Sequence, residues 1–195
     1  PTLQEKMKKL DRFHIFDISE NYPFHPLLHN VLWNKRVTLE IVEYLLDKFP
    51  GAATVESESH KHQYEKFGTM NTYPIHLACH NQYCPSSIIT LLMEKHLHAL
   101  KHFAHVGDLF SCGDYDDYAK GLPLHYYVAR KTNVDIDTIK MLLEAYPQAM
   151  VADGFTPLHA IVSSANEIVN DLLHIIKYLI EVEPSCIRTV DEYER

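Results

Sequence analysis

Apolar residues along this chain gather in two alternating kinds of segment. One is a short phrase built on proline, an aliphatic residue and histidine. It occurs as HPLLHNVL (25–32), YPIHLACH (73–80), LPLHYYVA (122–129) and TPLHAIVS (156–163). The other is an aliphatic signature, [I/V]-x-x-L-[L/I], at Val42–Leu46, Ile88–Leu92, Ile139–Leu143 and Ile176–Ile180. Its spacing sets the branched residue and both following aliphatics on one helical face. Three of these segments stop at a proline four residues on, namely Pro50, Pro147 and Pro184; in EKHLHAL, Leu97 takes that place one residue late. Proline cannot continue a helix interior, so it marks the end of each second helix.

The first phrase also reads as a helix start. Thr156 is a capping hydroxyl, and Pro157 suits the first helical position, where its missing N–H is an orphan in any case. The unit is therefore turn, short helix, loop, longer helix and proline stop, four times over. Neither helix of a pair can bury its apolar face alone; stacking on neighbours does it.

T-P-L-H-x-A followed by I-x-x-L-L resembles the ankyrin repeat, over roughly residues 24–195. The resemblance implies an all-α solenoid of about four helix pairs with short β-finger loops. Residues 1–23 lack the phrase and are expected to form an N-terminal cap. The repeats fall at about 24–72, 73–121, 122–155 and 156–189, followed by the start of a truncated repeat. The departures are informative. The repeat histidines His29, His76, His125 and His159 are spaced by 47, 49 and 34 residues, so two repeats carry insertions. Tyr73 and Leu122 replace the capping threonine, and one extra residue separates Pro26 from His29. The insertions, 54–72 and 101–121, sit where the family places its β-fingers, and Cys112-Gly113-Asp114-Tyr115 has the chemistry of a hairpin tip.

Composition narrows the function. A net charge of −8 argues against binding a nucleic-acid backbone, which needs clustered Lys and Arg. Four scattered cysteines without a C-x-x-C pair fit a reduced intracellular protein, with the cytoplasm the expected compartment and an organelle the alternative. Residues 67–93 contain no Asp, Glu, Lys or Arg, yet Asn, His, Gln, Thr and Ser run through them, so they are not a membrane span.

Fourteen histidines raise a metal hypothesis. His76 and His80 stand four apart near Cys79 and Cys84, and a second cluster comprises His96, His98, His102 and His105, with Cys112 as a further candidate. The spacings match no zinc template. The resemblance instead implies that His29, His76, His125 and His159 bond neighbouring loop backbone and hold repeats in register. No metal and no cofactor is expected. The segment Asp114–Tyr118 lacks the spaced acidic pattern and distal Glu of a calcium loop. There is no G-x-S-x-G, Walker A, G-x-G-x-x-G or H-E-x-x-H, so no enzymatic activity is expected.

The expected function is protein–protein recognition, as an adaptor or scaffold. The resemblance places partner contacts on the concave face of first helices and finger tips. Position by position this gives Trp33 and Asn34, His80 and Asn81, Ala129 and Arg130, and Ser163 and Ser164. The fingers add Tyr115, Asp116, Asp117, Tyr118 and Phe155. Trp33, the single tryptophan, is the favoured anchor, with core packing as the competing reading. The alternatives are a permanent subunit of a large assembly and a histidine-rich metal-binding module.

Overall fold

The computed structural model describes residues 27–57, 69–70, 72–106, 121–130, 132, 134–152, 155–164 and 172–189. The expected cap over 1–23 and the finger residues Tyr115, Asp116, Asp117 and Tyr118 lie outside them. Eight α-helices occur among the described residues, in four successive pairs. These are α1 (Leu27–Trp33) with α2 (Leu39–Lys48), α3 (Pro74–His80) with α4 (Ser86–Lys95), α5 (Pro123–Val128) with α6 (Ile136–Ala145), and α7 (Pro157–Ser164) with α8 (Leu172–Val182). The all-α class is therefore correct at this level. No helix is long and apolar enough to cross a membrane among the described residues.

Each second helix runs into a short 3-10 turn: Pro50–Thr54, Leu97–Lys101, Pro147–Met150 and Pro184–Ile187. The residue just before each turn has nearly the same backbone, φ/ψ −132/74 at Phe49, −149/70 at His96, −148/81 at Tyr146 and −141/87 at Glu183. Extended φ is what a following proline demands. In the second unit Leu97 occupies the proline's own place, two residues past the helix end as in the others. The helix signature of that unit therefore reads Ile89–Met93, one residue later than its sequence match, and the apparent lateness of Leu97 disappears.

The pairs stack in chain order. First helices form the continuous row α1, α3, α5, α7, and each packs on the one before. α3 also covers the Pro50–Thr54 turn, and α5 covers Leu97–Lys101. The core follows this row. Leu28, Val31 and Leu32, then Ile75, Leu77 and Cys79, then Leu124, Tyr126 and Val128 are buried, backed by Val42, Ile89 and Ile139 from the second helices.

Both insertions are closed at the base by an antiparallel bridge, Ser57 to Thr72 in the first and Ala104 to Gly121 in the second. Between them, β1 (Thr69–Met70) pairs antiparallel with β2 (His105–Val106), so one insertion hydrogen-bonds the next. Tyr126 anchors the second base: its hydroxyl donates to the Ala104 carbonyl at 2.5 Å and accepts from the Val106 N–H at 3.1 Å.

Candidate functional site

The repeat histidines tie each unit forward. Nδ1 of His76, His125 and His159 accepts the backbone N–H three residues earlier, from Tyr73 (3.2 Å), Leu122 (3.0 Å) and Thr156 (3.0 Å). The ring thus does a cap's work where Tyr73 and Leu122 have displaced threonine. That bond leaves Nε2 as the donor. His29 donates to the Thr72 carbonyl at 3.0 Å, and His76 to the His102 carbonyl at 2.7 Å, each in the loop before the next unit. His125 Nε2 meets no partner at hydrogen-bond distance, although the Phe155 backbone lies beside it. Burial pushes His76 and His125 down to about 4, outweighing the hydrogen bonds that favour the charged ring.

A second set of ties runs backward, from the position five residues after the repeat histidine. Asn81 Nδ2 donates to the carbonyls of Leu32 (2.8 Å) and Asn34 (2.9 Å) at the end of α1. Arg130 does the same one unit later. Its guanidinium donates to the carbonyls of Ala78 and Cys79 at the end of α3, and more weakly to Cys84 at 3.4 Å. The Arg130 guanidinium carbon lies 4.4 Å from the Tyr127 ring centroid, a cation–π contact. These side chains fill hydrogen-bonding places that a helix C-terminus leaves open.

This overturns part of the expected partner surface. Asn81, Ala129 and Arg130 are buried, with the Asn81 and Arg130 side chains turned back onto the end of the preceding first helix. Phe155 is half-buried, 5.5 Å from the His125 ring and 5.9 Å from that of His159. It too packs between units. Asn34 is half-buried, and its side-chain oxygen accepts the Arg36 N–H at 2.7 Å. Ser163 and Ser164 belong to the last turn of α7, but their side chains lie outside the described residues.

Trp33 and His80 do present a surface. Their rings stack with centroids 5.2 Å apart and planes 8° from parallel, and Trp33 remains 37% exposed. The half-buried His80 is braced from behind by Tyr126, edge-on at 6.1 Å. Burial, followed by the nearby Arg130 charge, lowers its pKa to about 4, so it presents a neutral ring. Tyr83, three residues after His80, is exposed, with Lys35 5.5 Å from its ring centroid. Tyr83 was not singled out by sequence. Its signal is Asn81, whose side-chain oxygen accepts the Tyr83 N–H at 3.0 Å and fixes the turn.

Asp135 is a further residue that sequence reasoning missed. It caps α6 by accepting from the Thr138 N–H (2.8 Å), and it also receives hydroxyls from Tyr127 (2.5 Å) and from Ser86 of the preceding unit (2.7 Å). Burial raises its pKa, but these donors outweigh that and hold it at about 2.

The histidine-rich loop forms an aromatic cluster. Tyr73 meets His96 and His102 edge-on at 4.7 and 4.9 Å, and Glu56 lies 3.4 Å from His102. No group of three His, Cys, Asp or Glu side chains is arranged to hold a metal ion among the described residues. Cys79 and Cys84 are buried thiols pushed up to about 12. Such thiols are poor nucleophiles and poor ligands.

No family model, curated protein or solved structure matches this chain.

Proposed function

We propose that the chain is an ankyrin-repeat recognition domain that binds a protein partner across the face carrying Trp33, His80 and Tyr83. The fourfold phrase, the four like backbone junctions and the closed insertion bases support the repeat assignment. The observation that carries the binding role is Trp33 stacked flat on His80 while still partly open to solvent. A half-exposed tryptophan held in one orientation loses little entropy on binding, and tryptophan is enriched among residues that dominate binding energy. The reading involves no covalent step.

The test is photo-crosslinking in native lysate from a probe at Tyr83, with wild type, Trp33→Ala and a distant Val162→Lys control. All three should keep the same helical circular dichroism. A crosslinked partner lost only in Trp33→Ala supports the reading, with affinity for the isolated partner falling at least about 30-fold. Equal capture by all three removes this face from consideration. A permanent structural subunit is the second reading, favoured by the exposed Val162 and Ile187 of the last unit. It predicts that the isolated chain self-associates.

A further inference from the structure

The carboxylates of this chain avoid one part of it. Asp and Glu number 26 against 18 Lys and Arg, yet residues 25–39, 73–85 and 122–134 contain no Asp or Glu. Those segments are the first helices of three successive units, with the loops that lead into the second helices. Their charges are Lys35, Arg36, Arg130 and Lys131. Arg130 is buried against the α3 carbonyls, whereas Lys35 and Arg36 are exposed. The next carboxylates along the chain, Glu40 and Asp135, open second helices. Asp135 is already occupied by donors from Tyr127, Ser86 and Thr138.

The first two of these loops are tied together. Trp33 stacks on His80, and Asn81 donates to the Leu32 and Asn34 carbonyls while its side-chain oxygen accepts the Tyr83 N–H. The Lys35 ammonium lies 5.5 Å from the Tyr83 ring centroid. Among the described residues, no carboxylate stands within ion-pair distance of it. The ring thus orients the cation without neutralising it.

We propose that the partner presents an acidic segment to this edge, setting a carboxylate against Lys35 and Arg36 and an apolar side chain against the open part of Trp33. The proposal rests on the reading of the Trp33 face as a partner surface and gives that partner its chemistry. Charge complementarity carries it. On a chain of net charge −8, a cationic edge free of carboxylates is where an acidic segment is attracted, and like charges repel it elsewhere. The same net charge disfavours a nucleic-acid backbone, which needs a longer array of cations.

The experiment pans phage-displayed random peptides on the 195-residue chain. Selected sequences are then made synthetically and titrated against the emission of Trp33, the single tryptophan and so a reporter of this face. They should be rich in Asp and Glu around an apolar residue. Binding should weaken at least about tenfold on Lys35→Glu with Arg36→Glu, and by a similar factor when Gln replaces the acids of the peptide. The peptide change needs no altered protein, so it decides even if the charge-reversed chain misfolds. Peptides that need Trp33 but show no excess of acids overturn the acidic partner and leave the Trp33 face standing. Peptides that bind Trp33→Ala equally well overturn both. Recovery of no sequence above background overturns the proposal. So does an oligothymidylate that binds as tightly as the peptides, since the edge would then select phosphate.

Discussion

A guanidinium withdrawn from water must recover its hydration, and Arg130 recovers it from carbonyl oxygens rather than from a carboxylate. Those carbonyls need the donors as much as the arginine needs them, because they terminate α3 inside the stack. Arg130→Met keeps the length and the apolar stem but deprives the Ala78 and Cys79 carbonyls. We expect it to lower unfolding free energy by about 2 kcal/mol, read as a lower urea midpoint at constant slope. An unchanged midpoint would mean that the two carbonyls find water instead. The repeat histidines were legible because proline and leucine announce them. Asn81 and Arg130 were not, since they share only an offset of five residues from a histidine. Their acceptors lie 46 to 52 residues earlier in the chain. A reading that places both on an open face cannot detect a bond of that range.

Four second helices end in the same backbone conformation, yet only three are followed by proline. His96 already adopts the extended φ that a preceding residue needs, and Leu97 is exposed at the first position of its 3-10 turn, where an N–H has no helical acceptor. Leu97→Pro should therefore stabilise the chain by about 0.5–1 kcal/mol, by restricting the unfolded state alone. Thermal unfolding checks this: a lower melting temperature would show that the Leu97 N–H is engaged after all. At this scale the sequence was most informative, because period, proline and histidine all act locally. Each second helix overlaps its aliphatic signature, and the one slip, in the second unit, arose because Ile88-x-x-Leu91-Leu92 matches the pattern in full, whereas the register of the other units, Ile89-x-x-Leu92, ends on Met93. The pairing of one insertion with the next, through Thr69–Met70 and His105–Val106, had no such local sign.

Stacking puts neutral imidazoles at successive interfaces, and this makes the whole molecule sensitive to mild acid. His76 and His125 titrate at about 4 in the folded chain against an ordinary 6.5, because burial disfavours the charged ring. Between those values the unfolded chain binds more protons than the folded one, so stability must fall as pH falls from 6.5 towards 4. Exposed carboxylates of ordinary pKa titrate near the bottom of this window, which leaves pH 5–6.5 mainly to the buried rings. The loss there should reach roughly 2 kcal/mol or more, a large share of a typical domain's stability. Urea midpoints at pH 7.5, 6.5, 5.5 and 5.0 would follow it, with His76→Gln expected to start lower but decline less steeply. A flat profile in the wild type would mean that these rings take up protons without leaving the stack. Because His76 also caps its own helix and bonds the next loop, protonation there loosens two units at once. A stack held by nearest-neighbour contacts has no other core to absorb that loss, so the acid transition should be cooperative along the row and not confined to one repeat.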